Sequence, residues 1–174
     1  MVELNIIPEC YVDTKVAEIL GQAKGKYNHQ KGCGNVANKM IRLKDSECLG
    51  IIDEDVNKGA KAAYFSEFDV VLHNASLILK VHKQRKHYLI LIRPEIEKWL
   101  MNDANAIGIN PSHEDYKLPN DLEGIKEMTK IKDIDNNEGF KNFIKRLIRD
   151  KSPSITMLKH WINLFKNNEL HTVK

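Results

Sequence analysis

The sequence predicts an α/β fold in which a mostly parallel sheet is flanked by helices and followed by a C-terminal helical extension. Two observations lead to this prediction. Short apolar runs typical of buried strands alternate with amphipathic helical patterns in the first part of the chain. Beyond residue 108 the strand patterns stop, and three helical patterns follow a polar stretch that contains proline. We therefore expect an α/β domain over residues 1–108 and a helical extension over residues 109–174.

Composition is that of an ordinary globular protein. The 174 residues include 42% hydrophobic and 29% charged residues, with a formal net charge of +3. The cysteines, Cys10, Cys33 and Cys48, show no Cys-x-x-Cys spacing, so neither a disulfide framework nor a zinc site is predicted. A reduced, cytoplasmic protein is the expectation. No apolar run approaches the roughly 20 residues of a membrane span, and we expect no membrane association.

Five strands and several helices are expected along the chain. The predicted strands cover 2–7, 49–52, 69–73, 77–81 and 88–92. The predicted helices cover 13–22, 35–43, 95–101, 122–131, 138–149 and 153–166. Asp13 or Thr14 is expected to cap the first helix and Ser152 the last, and a short edge strand is predicted around residues 27–30.

Acidic residues follow three of the predicted strands. Glu9 comes after the first strand, Asp53 and Asp55 end the apolar run 49–52, and Glu97 follows the last strand. Two carboxylates spaced two residues apart repel each other, and a divalent cation would neutralise them. The alternatives are a solvated acidic turn after residue 52 and, for Glu97, the favourable position of an acid in the first turn of a helix.

Basic residues concentrate in two places. One is the run 80–87, and the other is the polar side of the amphipathic pattern 138–149. Each could contact a nucleic-acid backbone, although a solvated turn and a charged solvent face are the commoner explanations. The candidate nucleic-acid-binding residues are Lys83, Arg85, Lys86, Lys141, Lys145 and Arg149.

The order of the acidic motifs resembles that of the Toprim (topoisomerase-primase) domain. Glu9-Cys10-Tyr11-Val12-Asp13 is similar to the family's Glu-Gly-x-x-Asp, with Cys10 in place of the glycine. Gly50-Ile51-Ile52-Asp53-Glu54-Asp55 is similar to the strand that closes in Asp-x-Asp. The turn Gly32-Cys33-Gly34-Asn35-Val36 looks like the connection between these two motifs.

A further stretch is similar to compact Toprim proteins of the RloB type, which are related to the OLD-type nucleases. Pro94-Glu95-Ile96-Glu97-Lys98-Trp99-Leu100 resembles their Pro-x-x-Glu-x-Trp-Leu. The resemblance covers about residues 1–105 and leaves the C-terminal helices without a counterpart. It implies a Toprim-like, Rossmann-like sheet in a protein of a bacterial defence or mobile-element system.

The resemblance also implies a mechanism. Asp53 and Asp55 would bind Mg²⁺ or Mn²⁺, Glu9 would be a further ligand or a general base, and Glu97 would belong to a second metal's shell. The implied activity is hydrolysis of phosphodiester bonds in DNA or RNA, with Glu9, Asp53 and Asp55 as catalytic residues. The sequence has no ATPase segment, so energy coupling would require an ATPase partner protein.

Other functions remain open at this point. A non-catalytic module could keep the fold and recognise nucleic acid, a nucleotide or a partner protein. The acids could also be incidental to an α/β fold. Phosphatase or phosphotransferase chemistry would place its nucleophilic aspartate after the first strand, where this chain has Glu9. The C-terminal helices could form a homodimer interface, bind nucleic acid or bind the ATPase partner.

Overall fold

The computed structural model describes residues 5–23, 25, 27–54 and 62–173. The first half of the predicted first strand, the loop 55–61 and the candidate ligand Asp55 lie outside these residues. The strands are β1 (Ile6–Pro8), β2 (Cys48–Asp53), β3 (Phe68–His73), β4 (Leu77–His82) and β5 (His87–Ile92). The helices are α1 (Tyr11–Leu20), α2 (Cys33–Leu43), α3 (Ala62–Phe65), α4 (Ile96–Ala106), α5 (Leu122–Thr129), α6 (Glu138–Arg149) and α7 (Pro153–Lys166), with 3₁₀ turns at Lys132–Asn136 and Leu170–Thr172.

The five strands form one mixed sheet in the order β1-β2-β5-β4-β3. β1, β2 and β5 are parallel, whereas β4 runs antiparallel to β5 and β3 antiparallel to β4. The predicted α/β class is confirmed, and the parallel part of the sheet is the part that carries the acids. The rest is antiparallel because short turns join β3 to β4 and β4 to β5, and a parallel pair needs a long crossover.

Helices cover both faces of the sheet. On one face α1 and α4 to α7 share a single core with the strands. On the other face α2 and α3 enclose a smaller core with residues of β1, β2 and β5. Helix α2 packs closely over Gly50 of β2, where an added Cβ would lie 2.9 Å from Met40 Sδ of α2. A sheet buried on both faces agrees with the uninterrupted apolar runs of β2 and β5.

The C-terminal helices pack against the α/β part of the chain. Trp161 of α7 and Phe140 of α6 belong to the same core as Val16 of α1 and Trp99 of α4. At the far end of α7, Lys166 Nζ donates to the carbonyl of Gly21, 2.6 Å away. The division at residue 108 stays a prediction. None of the described helices has the length and apolar character needed to cross a bilayer.

Two predicted helix caps are corrected by the structure. α1 begins at Tyr11 with Cys10 as its cap, because Cys10 Sγ accepts from the amide of Asp13 and the Asp13 carboxylate accepts from the amide of Cys10. Ser152 precedes α7 as predicted, but its side chain does not cap the helix. Its hydroxyl instead donates to Asp103 of α4.

The predicted edge strand at 27–30 is an extended segment without regular strand structure. The amides of Asn28 and Gln30 donate to the carbonyls of Ile6 and Pro8, at 2.9 and 3.0 Å. These hydrogen bonds occupy the outer edge of β1 as far as Pro8, the residue before Glu9.

Candidate functional site

The carboxyl ends of the three parallel strands meet at one edge of the sheet. Three helices also begin there: α1 follows β1 directly, α4 follows β5, and α2 begins where the amide of Cys33 reaches the Glu9 side chain. Helix N-termini carry partial positive charge and unpaired N–H groups, which favour anions. This edge is therefore suited to hold acidic side chains or another anion such as a phosphate.

Glu9 joins β1 to β2 and α2. Its Oε1 accepts from the amide of Cys33 at 3.0 Å, and its Oε2 accepts from the amide of Asp53 at 3.1 Å. The residue is 6% exposed. Because both oxygens receive backbone hydrogen bonds, Glu9 fixes the position of Asp53 and of the α2 N-terminus.

Asp53 ends β2 and reaches the start of α4. Its Oδ1 accepts from the amide of Ile96 at 2.9 Å, one of the unpaired donors of that helix. Burial, followed by the charges of Asp13, Glu9 and Glu97, raises the pKa of Asp53 to about 9. Asp53 therefore lies within electrostatic reach of three other carboxylates, and without a cation the Asp53 carboxyl holds its proton at neutral pH.

Asp13 is the member of this cluster that was not predicted from the sequence as a site residue. Its Oδ2 accepts from the amide of Cys10 at 3.1 Å, whereas Oδ1 is buried without a hydrogen-bond partner among the described residues. Burial first, and then the charges of Glu9 and Glu97, raise the pKa of Asp13 to about 7. Its spacing of four residues from Glu9 could have indicated that it belongs to the site. Asp13 was instead interpreted as a cap of the first helix. Burial, followed by the charge of Asp13, also raises the pKa of Cys10, which keeps its thiol neutral.

Glu97 lies in the first turn of α4 and contacts the C-terminal extension. Thr129 Oγ1 of α5 donates to Glu97 Oε1 at 2.6 Å. Two residues earlier, Glu95 precedes α4 and pairs with Lys126 Nζ of α5 at 2.8 Å. Thr129 and Lys126 were not predicted from the sequence, because nothing in their local pattern connects them with residues about thirty positions earlier.

The donor set fits a hard divalent cation in its chemistry. All four side chains are carboxylates, and one of them keeps an unsatisfied buried oxygen. In the part of the chain that the structure describes, no three His, Cys, Asp or Glu side chains form a group that could hold a metal ion. Asp55 lies outside that part, so the ligand set that includes it is a proposal.

The candidate basic residues fall into two separate regions. Lys83, Arg85 and Lys86 lie in the turn before β5, which is the edge of the sheet opposite to the carboxylates. The six residues of β5 separate the two edges by about 20 Å. Lys83 lies 3.7 Å from Asp69, and the Arg85 guanidinium lies 5.9 Å from the centre of the Tyr64 ring.

The second basic region is a cleft beside α6. Its volume is about 390 Å³, and Lys145 and Arg149 line it together with Asn142 and Arg146 of the same helix and with Asp115 and Tyr116. Lys141 instead pairs with Glu138 at 2.6 Å, and Arg149 lies 3.1 Å from Asp150.

In comparisons with known proteins, the chain matches no family model, no curated protein and no solved structure. The likeness of its motifs to those of Toprim domains therefore remains a resemblance.

Proposed function

We propose that this chain is a Mg²⁺- or Mn²⁺-dependent nuclease that hydrolyses phosphodiester bonds of DNA or RNA. One observation carries the proposal: Glu9, Asp13, Asp53 and Glu97 lie near the edge where parallel strands end and helices begin, and burial together with the repulsion among these carboxylates raises the pKa of Asp53 and Asp13. Such a cluster is costly unless protons or a cation neutralise it. The motif resemblance supports the reaction type and connects the chain with bacterial defence or mobile elements.

The residues have separable roles in this proposal. Asp53, Asp55 and Glu97 would hold the cation. Glu9 accepts from the backbone amide of Asp53 and so keeps Asp53 in place, while its other oxygen accepts from the amide of Cys33. A bound divalent cation would polarise the phosphodiester and stabilise the charge that develops during hydrolysis. The oxygen of a water molecule bonds to phosphorus, its proton passes to a carboxylate, the bond to the leaving oxygen breaks and that oxygen takes up a proton. Asp13, whose Oδ1 has no described partner, supplies an additional oxygen for the cation or the proton.

The α6 cleft is the proposed contact for the nucleic-acid backbone. Lys145, Arg146 and Arg149 lie along one side of the helix and line the concave surface. The turn that carries Lys83 and Lys86 is a weaker candidate, because it lies at the opposite edge of the sheet from the carboxylates.

A second candidate function is a binding module that does no catalysis. It is favoured by the two hydrogen bonds that occupy Glu9 and by the lack of a three-ligand group in the described residues. Such a module would recognise nucleic acid or a nucleotide with the same helix N-termini. An ATPase partner protein or a second copy of the chain could act together with either function.

The test combines metal binding with cleavage. Titration calorimetry with Mn²⁺ and Mg²⁺, and cleavage of supercoiled and single-stranded DNA and of RNA, are measured for wild type, Asp53→Asn and Asp45→Asn. Asp45 is an exposed acid at the opposite edge of the sheet and serves as the matched control. We expect metal-dependent cleavage that only Asp53→Asn abolishes. Metal binding without cleavage would favour the binding module, and absence of metal binding in wild type would overturn the proposal.

A further inference from the structure

Helix α5, in the C-terminal extension, makes different contacts with the two glutamates at the start of α4. Glu95 receives a cation, because Lys126 Nζ lies 2.8 Å from its Oε1. Glu97 receives a neutral donor, because Thr129 Oγ1 lies 2.6 Å from its Oε1. An ion pair offsets the negative charge of a carboxylate, whereas a hydroxyl orients the carboxylate and leaves its charge in place.

The Thr129–Glu97 hydrogen bond is well defined. Thr129 is 3% exposed, and a β-branched side chain in a helix has few accessible rotamers. Its hydroxyl also lies 3.1 Å from the carbonyl of Lys126, but the shorter contact is the one to the carboxylate. The donor is therefore held in place by packing before any ligand binds, and it occupies one oxygen of Glu97 only.

We propose that Thr129 is a positioning residue for Glu97 and that α5 thereby belongs to the metal centre. Thr129 fixes one oxygen of Glu97, whose charge acts on Asp53 and Asp13, and leaves the second oxygen, Oε2, for the cation. Lys126 anchors α5 through Glu95 and takes no part in metal binding. This inference rests on the proposed function, since it assigns a role toward the same cation.

Local helix capping is the competing explanation of the Thr129 hydroxyl, because a threonine near the end of a helix often bonds to a carbonyl of the preceding turn. The two explanations differ in what they predict for metal affinity. If the hydroxyl only stabilises the last turn of α5, its removal lowers thermal stability and leaves the affinity for Mn²⁺ unchanged. If it positions Glu97, its removal weakens Mn²⁺ binding even when the fold is intact.

The experiment measures Mn²⁺ affinity of the full chain by titration calorimetry, with melting temperatures recorded in EDTA beside it. Thr129→Val keeps the shape and removes the hydroxyl, Thr129→Ala removes it without filling the space, and Thr129→Ser retains it. We expect about 10-fold weaker binding for the valine and alanine variants and an affinity within about threefold of wild type for serine. Two variants without the hydroxyl are measured, so that the test can still be made if one of them fails to fold.

Lys126→Met is the matched control from the same helix. It removes a cation that also raises the positive potential near Glu97, so Mn²⁺ should bind as well as in wild type or more tightly. Equal affinity for wild type, Thr129→Val and Thr129→Ala would overturn the role of Thr129 and leave the proposed function standing. Absence of Mn²⁺ binding in wild type would overturn both.

Discussion

Replacing Asp53 by asparagine should stabilise the metal-free protein at alkaline pH. The pKa of the Asp53 carboxyl is raised to about 9 by burial and by neighbouring carboxylates, from an ordinary value near 3.8. The folded state thus keeps a proton that the unfolded state releases, so this group's stabilising contribution is complete below pH 3.8 and is lost as pH rises toward 9. Asparagine is nearly isosteric and can still accept from the amide of Ile96.

The size of the effect follows from linkage. One proton changes the free energy of unfolding by at most about 1.4 kcal/mol per pH unit, or about 2.7 kcal/mol between pH 7 and pH 9. Asp13 belongs to the same cluster and titrates together with Asp53, so the pair shares the effect. We expect wild type to lose about 1 to 2 kcal/mol more than Asp53→Asn over this range.

The assay is urea unfolding in EDTA, followed by the fluorescence of the buried Trp99 and Trp161. The range from pH 7 to pH 9 lies above the titration of histidine, and cysteine titration is common to both proteins and cancels in the difference. Asp45→Asn should show the wild-type dependence on pH, since this side chain is exposed. Parallel pH profiles for wild type and Asp53→Asn would refute the reasoning. With Mn²⁺ present the order should reverse, because a ligand stabilises only the protein that binds it.

Substitutions at three further positions test the packing of the scaffold. Asp103→Ala should lower the free energy of unfolding by about 2 kcal/mol in urea titrations, because this buried carboxylate accepts three hydrogen bonds at the start of α7; Asp103→Asn should cost less. Gly139→Ala should cost about 1 to 3 kcal/mol in the same assay, since its Cβ would lie 2.0 Å from the carbonyl oxygen of Tyr116. Burial lowers the pKa of His87, so the unfolded state binds a proton more readily and the melting temperature should decrease as the pH is lowered below 6.5. In His87→Gln this decrease in melting temperature should be smaller.

Periodicity predicted the elements of the sheet well. The apolar runs of β2, β4 and β5 were placed to within a residue or two, and α6 and α7 have the predicted bounds. These elements are buried on a regular face, so their pattern is written locally in the sequence. The acids after β1, β2 and β5 lie at one edge because those strands are parallel neighbours.

Contacts between distant segments could not be predicted in the same way. Thr129 reaches Glu97 over 32 residues, and Asp103 caps α7 from 51 residues away. In both cases the local sequence suggests something else: a helix end for Thr129, and Ser152 as the cap of α7. The basic turn around Lys86 was chosen by charge alone, and only the hairpin connection shows that it lies at the opposite edge from the carboxylates.

The site concentrates negative charge at the N-termini of three helices. Three helix N-termini donate amides to Glu9, Asp53 and Asp13, and α5 adds one neutral donor to Glu97. Because these donors orient the carboxylates without cancelling their charge, protons must supply the remainder in the metal-free protein. A cation that displaces those protons would bind more tightly as pH rises, since each proton released favours the complex. The same repulsion thus lowers stability at high pH and strengthens metal binding there, so both effects should disappear together in Asp53→Asn.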